Sequence, residues 1–159
     1  KEISLSLNCS PASEELSASQ SIILKSLPRV ENLLSLQCDR DQISRLFTNL
    51  ISNALQYTSA NGKVTIDLQQ IKRTSGSFLQ VRVTDTGIGI PEEAIPQLFD
   101  RFYRVDPART KATGGSGLGL AIAQAIVENH HGQIHIESKF GKGTTVTVTL
   151  PQQSQEAIG

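Results

Sequence analysis

Two hydrophobic periods alternate along this chain. Period two opens it, in "KEISLSL" (residues 1–7), and predicts a strand. Residues 10–32 are rich in Ser, Glu and Pro and predict an exposed excursion, and "LLSLQC" (33–38) suggests a second short strand. The period then becomes helical. Ile43, Leu46, Phe47, Leu50, Ile51, Ala54 and Leu55 fall at three- and four-residue spacing, behind an Asp39 or Asp41 suited to cap the helix. After a turn at "SANG", "KVTIDLQQI" (63–71) and "FLQVRVTD" (78–85) read as strands joined by the polar "KRTSG". Residues 86–117 are rich in glycine and proline, with only short helical pieces, the signature of a functional lid or a disordered segment. "SGLGLAIAQAIVENHHG" (116–132) predicts a helix apolar almost all round, hence buried, with Gly132 as its stop. "QIHIES" (133–138) and "TTVTVTLP" (144–151) predict a hairpin across "KFGKG", followed by a frayed tail at 152–159. There are no internal repeats. Strand pairs in the middle and at the end, with helices between, imply an α/β sandwich: one mixed, mostly antiparallel sheet covered on one face by helices.

Composition narrows the function classes without choosing one. The 159 residues fit one domain, and 15 basic against 15 acidic residues leave no footprint for nucleic acid or a membrane surface. No apolar run reaches the length of a membrane span and no signal-peptide pattern opens the sequence, so a cytoplasmic location is expected. Cys9 and Cys38 lack the spacing of a metal knuckle or redox pair and read as reduced and structural.

Four stretches carry candidate chemistry. In 78–85, period two places Asp85 on the inward face with Leu79, Val81 and Val83. A buried carboxylate needs a donor, and two readings follow. It is a structural acid held by a nearby backbone amide, or it accepts from a ligand amine, with the glycines of "DTGIGIP" letting a flat ligand approach the backbone. On the long helix, Asn49, Asn53, Gln56 and Tyr57 crowd one edge of the apolar arc. An asparagine pair one turn apart marks either a surface hydrogen-bonding pair or a polar cavity where an amide oxygen suits a hard cation. "TGGSGLGLA" (113–121) leads into a helix whose free N–H groups favour an anion, or it is a hinge; it matches neither the phosphate-loop nor the dinucleotide pattern. "LFDRFYR" (98–104) offers Phe99, Phe102 and Tyr103 as small-core anchors, while Arg101, Arg104, Arg109 and Lys111 are solvated or reach a phosphate. His130, His131 and His135 read as structural.

Together these stretches resemble the catalytic, ATP-binding domain of bacterial sensor histidine kinases. "NLISNALQYT" is similar to the asparagine box of that family, "DTGIGIP" to the first glycine box, "LFDRFYR" to the phenylalanine box and "GGSGLGLAIA" to the second glycine box, in the family's order from Asp39 to Pro151. The resemblance implies a Bergerat-type sandwich over 1–151 with a mobile ATP lid at 91–116. It implies that Asp85 accepts from the exocyclic amine of adenine, that Asn53 holds Mg²⁺, that Asn49 supports the phosphates, and that Tyr57 packs on the base. Gly115, Gly117 and Gly119 become the hinge of the lid. The implied nucleotide-binding set also takes in Gln56, Gly87, Gly89, Ile90, Arg101, Tyr103, Arg104, Lys111, Ser116, Leu118 and Leu120. The implied activity is transfer of the γ-phosphate of ATP to a histidine on a preceding dimerising hairpin, with a response regulator downstream. No histidine here stands in the family's acceptor context, so the chain is expected to be the catalytic domain alone, whether or not its parent is membrane-anchored. Gln56 departs from the family's usual Lys or Arg, removing a cation beside the phosphates unless Arg104 or Lys111 compensates. Other readings are a hydrolysing ATPase or a sigma-regulating serine kinase of the same fold, both of which usually place an acid where Asn49 stands, and a degenerate nucleotide-binding module.

Overall fold

The computed structural model describes the backbone of residues 4–10 and, in full, residues 36, 38–105 and 117–152. The 10–32 excursion beyond Ser10, most of the strand expected at 33–38, and the tail beyond Gln152 lie outside the described residues, as do Lys111, Gly115 and Ser116. Strand β1 is Ser4–Ser10, helix α1 Arg40–Tyr57, β2 Lys63–Arg73, β3 Gly76–Asp85, helix α2 Gly119–Asn129, β4 Gln133–Lys139 and β5 Gly143–Pro151; a 3₁₀ turn spans Glu92–Gln97. The sheet runs in the order β1-β2-β3-β5-β4. Among the described strands only β1 pairs in parallel, with β2; the other pairings are antiparallel. This is the mixed, mostly antiparallel sheet that the alternating pattern predicts.

Asp39, not Asp41, caps α1: its carboxylate accepts from the N–H groups of Asp41 and Gln42, each at 3.0 Å, and from Gln42 Nε2 at 3.1 Å. These bonds hold its pKa below the usual carboxylate value, the amide of Gln42 foremost. The helix ends where Thr58, fully buried, turns both its N–H and its hydroxyl onto the Ala54 carbonyl, at 3.1 and 2.6 Å. Leu46, Leu50 and Ala54 form the buried stripe of α1, and Ala123, Ile126 and Val127 that of α2. Both stripes meet Val64, Val83, Val148 and Leu150 of the sheet in one core. Helix α2 is therefore buried on one side only. Its remaining apolar residues are half-buried or exposed, where the sequence suggested burial all round.

The two helices are joined at their far ends by His130. Its Nε2 accepts from the Asp39 N–H at 3.2 Å, while Nδ1 lies 2.8 Å from the Ile126 carbonyl, which fixes the proton on Nδ1. His131 takes the left-handed turn after α2, with φ 56°. Gly132 is needed for a different reason than a helix stop: a Cβ there would lie 2.6 Å from the Thr149 carbonyl of β5.

The opposite sheet face is open and polar. Gln69 Nε2 donates to Gln80 Oε1 at 2.7 Å, Gln80 Nε2 reaches Thr149 Oγ1 at 3.5 Å, and Arg82 donates to Gln80 Oε1 at 3.3 Å. Cys38 is an exposed free thiol rather than a packed one. No helix among the described residues is long and apolar enough to cross a membrane.

Leu46 is 0% exposed at the centre of the helix–sheet core. Leu46→Ala should cost about 2–5 kcal/mol of unfolding free energy, through lost burial and a residual cavity. Urea unfolding read by circular dichroism measures it; a loss under about 1 kcal/mol would mean that the core is not built on this contact.

Candidate functional site

Asp85 ends β3 on the same face as buried Leu79, Val81 and Val83, and only 9% of its surface is exposed. Burial pushes its carboxyl above the ordinary carboxylate value, opposed by the amides of Gly87 and Thr144. The Gly87 N–H donates to Oδ1 at 2.8 Å. The structural-acid reading of Asp85 is thus met by the Gly87 amide on Oδ1, with the Thr144 amide as a further donor; it does not displace the second reading, because each carboxylate oxygen accepts more than one hydrogen bond.

The glycines after Asp85 are fixed by what surrounds them. A Cβ on Gly87 would stand 2.5 Å from the Tyr57 carbonyl and 2.8 Å from Asp85 Oδ1. Gly89 has φ +69° and lies against the backbone of Lys139, with no room for a side chain. Ile88 N–H donates to the Tyr57 carbonyl at 3.3 Å and Ile90 N–H to Ser138 Oγ at 2.8 Å. Gly141 N–H donates to the Ile88 carbonyl at 2.7 Å. The loop is therefore braced on one side by the end of α1 and on the other by the β4–β5 turn.

Asn49 and Asn53 are half-buried on α1 and face the start of α2. Asn49 Nδ2 lies 3.4 Å from the Gly119 carbonyl. A Cβ on Gly119 would stand 3.8 Å from Asn53 Nδ2 and 3.9 Å from Asn49 Cγ. The first hydrogen bond of α2 runs from Ile122 N–H to the Leu118 carbonyl, so the earlier N–H groups of this turn have no intrahelical acceptor. A neutral amide pair beside a helix N-terminus suits an anion, and the amide oxygens suit the hard cation that a polyphosphate brings. Among the described residues no cluster of His, Cys, Asp or Glu has metal-binding geometry.

Gln56 is half-buried and Tyr57, at the end of α1, is 43% exposed. Leu118 is half-buried before α2, and the side chain of Leu120 packs on the core, leaving only its backbone to face a ligand. Of the segment expected as a lid, 91–98 is anchored: Ala94 and Leu98 are buried, and 106–116 lies outside the described residues. Phe102 is no core anchor. It is 71% exposed, with φ 66°, because its backbone pairs with Gly117: the Phe102 N–H donates to the Gly117 carbonyl at 3.0 Å. Phe99 and Tyr103 are half-buried, and Arg101 is exposed. Arg104 is half-buried, with Nε and Nη2 shielded from solvent and without a hydrogen-bond partner among the described residues. Two hidden guanidinium donors without an acceptor are costly and suit an incoming anion.

Sequence reasoning missed the β5 side of this site. Thr144 is the register partner of Asp85, and a Cβ on Gly143 would strike the Asp85 carbonyl. Ser138 Oγ, besides accepting from Ile90, donates to the Gly143 carbonyl at 2.9 Å or to Thr144 Oγ1 at 2.8 Å. The "GKGTT" glycines were a visible signal, but nothing local said that they close on residue 85.

Residues 38–154 match the family model described as "Histidine kinase-, DNA gyrase B-, and HSP90-like ATPase". The sensor histidine kinase WalK of Bacillus subtilis is 46% identical over 123 residues, covering 77% of this chain and 20% of WalK. A WalK sensor kinase of Staphylococcus aureus is 39% identical over 137 residues, covering 86% of this chain and 32% of the relative. The chain thus spans between a fifth and a third of the length of these curated relatives. The mycobacterial sensor histidine kinase MprB superposes with a TM-score of 0.69 at 24% identity, over 95% of this chain and 83% of that one, a likeness of fold.

The raised pKa of Asp85 fixes a sign for stability against pH. Between the unfolded value near 3.8 and the higher folded one, the native state binds more protons than the unfolded state. Stability is therefore lost as pH rises through that window, and the loss is constant above it. Asp85→Asn, which keeps an acceptor for Gly87, should melt higher than the parent at pH 7, and the difference should shrink as pH falls toward 4. Melting curves across this range measure it; a difference that does not vary with pH would mean that Asp85 ionises without penalty.

Proposed function

The chain belongs to the histidine kinase-, DNA gyrase B- and HSP90-like ATPase family, and on that premise we propose that it is the catalytic domain of a sensor histidine kinase. It binds ATP with Mg²⁺ and passes the γ-phosphate to a histidine on a separate dimerising hairpin of the same kinase, upstream of a response regulator. The observation that carries this reading is the convergence of a buried carboxylate behind a braced glycine loop with an asparagine pair facing a helix N-terminus.

The two ends divide the nucleotide between them. The Asp85 oxygen not held by Gly87 takes the exocyclic amine of adenine, and Gly87, Gly89 and Ile90 present backbone to the ring with Tyr57 beside it. Being ionised when bound, Asp85 makes a charge-assisted bond that its burial strengthens. At the other end, the phosphates lie against the free amides of α2 near Gly117, Leu118, Gly119 and Leu120. Asn53 would hold a Mg²⁺ ion, which would supply charge neutralisation at the transferring phosphate, and Asn49 orients the phosphates. The unpaired donors of Arg104 supply the cation that Gln56 does not. Arg101 and Tyr103 are further candidates for the phosphate side; the resemblance adds Lys111, Gly115 and Ser116, which lie outside the described residues.

In the transfer, the bond from the γ-phosphorus to its bridging oxygen breaks and a bond to an imidazole nitrogen forms. ADP leaves with the electron pair, and the imidazole proton passes to solvent. Catalysis is alignment and electrostatics. The amide of Asn49 cannot take a proton from water, which disfavours hydrolysis as the main reaction.

Calorimetric titration with ADP tests the site. Asp85→Asn should weaken binding by about 1.5–3 kcal/mol, roughly ten- to 150-fold. Asn53→Ala should instead abolish the Mg²⁺ dependence of binding while sparing much of the affinity measured without metal. Unchanged affinity in the first variant, or full Mg²⁺ dependence in the second, sinks the respective assignment.

Radiolabelled ATP tests the reaction. The chain alone should neither retain label nor release phosphate rapidly. With its own histidine-bearing hairpin supplied separately, label should appear on the hairpin. Label on His130, His131 or His135 would refute the structural reading of those residues, and fast phosphate release would favour a hydrolysing ATPase.

A further inference from the structure

The β4–β5 turn leaves Phe140 68% exposed, an unusual cost for an aromatic ring at a turn tip. The ring is one wall of an open groove of about 920 Å³ between the end of β4 and the segment that follows the first glycine loop. Ile90, Pro91 and Ile95 contribute the other apolar surface. The charged lining is Glu92, Glu93 and Glu137 against Lys139, three carboxylates to one ammonium. All four of these charged residues are exposed.

We propose that this groove docks a basic, apolar peptide segment of a partner protein, and that its occupation alters nucleotide affinity. Charge selects the occupant: a Lys- or Arg-rich segment meets the carboxylates, while an aliphatic side chain enters against Phe140 and Ile95. An acidic segment would face a net negative rim, and a purely apolar one would leave the carboxylates unmatched. The coupling follows from shared backbone. One wall of the groove is the glycine loop itself, tied to the turn by Ile90 N–H on Ser138 Oγ at 2.8 Å and Gly141 N–H on the Ile88 carbonyl at 2.7 Å. Gly89 lies against the Lys139 backbone without room for a Cβ. A ligand that moves Lys139–Gly141 cannot leave Ile88–Ile90 in place. This second half rests on the nucleotide reading of Asp85; the first half does not.

The test uses the 159-residue chain and a fluorescent peptide of alternating Lys and Leu, with a Glu–Leu peptide as control, read by anisotropy without nucleotide. The Lys–Leu peptide should bind more weakly as salt rises, and the Glu–Leu peptide should not bind. Phe140→Ala, and separately Glu92→Lys with Glu93→Lys, should each weaken binding about tenfold or more while circular dichroism stays unchanged, since all three positions are exposed. Equal affinity in these variants, or binding of the acidic peptide, overturns the docking site. A dimer in sedimentation that Phe140→Ala dissolves would give the groove to a second copy instead and overturn the assigned partner. ADP affinity measured with and without saturating Lys–Leu peptide should differ by about fivefold or more. No difference, with mutational dependence of peptide binding intact, overturns the coupling alone. No ADP binding under any condition, with that dependence intact, sinks the nucleotide reading and its coupling but leaves the docking site standing.

Discussion

The architecture turns on one unfavourable placement: an ionisable carboxylate at the inward end of a central strand. Asp85 follows Leu79, Val81 and Val83 into the apolar layer, and burial raises its pKa. Its neighbours are constrained to make this tolerable. Gly87 exists because a side chain would strike the Tyr57 carbonyl and Asp85 Oδ1, and Gly143 because one would strike the Asp85 carbonyl. The Gly87 and Thr144 amides offset part of the burial but leave the carboxyl shifted. What remains is a strong acceptor in a buried, low-dielectric setting, with no charged partner among the described residues, the condition under which a ligand donor contributes most.

The second requirement is that two helices approach closely at one end and remain fixed at the other. The start of α2 comes within reach of Asn49 and Asn53 at Gly119, whose carbonyl lies 3.4 Å from Asn49 Nδ2. At the opposite ends His130 bridges α2 to the cap of α1, accepting from Asp39 and donating to Ile126. The core stripes of the two helices fill the space between. Asparagine on a half-buried face is a poor choice for helix stability alone. It becomes reasonable where a cavity at a helix N-terminus must be polar yet uncharged.

How much of this was legible in the sequence follows from range. The strands from Lys63 to Asp85, α1 and the terminal hairpin were readable, because alternation, a capping aspartate and glycine turns are local signals. The inward direction of Asp85 was readable too, since parity along one strand decides it. What could not be read was pairing across the chain. Asp85 meets Thr144 through a register that no local pattern encodes. For the same reason α2 looked buried all round: its composition is apolar on every side, while only the faces toward α1 and the sheet are covered. Phe102 misled in the opposite sense. Aromatic residues usually enter cores, but here a positive φ and a backbone bond to Gly117 put the ring outside.

The two halves of the site differ in how completely this chain builds them. The Asp85 half is closed by hydrogen bonds from three separate elements, and its glycines leave no slack. The asparagine half has neutral amides, a helix start without intrahelical acceptors for its first N–H groups, a glutamine at residue 56 and an arginine whose buried donors have no acceptor among the described residues. A base-recognition pocket must discriminate, so rigidity favours it. Phosphoryl transfer needs alignment of a donor with an acceptor on another segment, and a half-finished surface favours that, since its last contacts form only when both are present. On the proposed reading, the amide of Asn49 gives a competing water no base at this position. On the same reading, the unfinished half suits a kinase acting on a separate domain, and the finished half would keep its nucleotide in register.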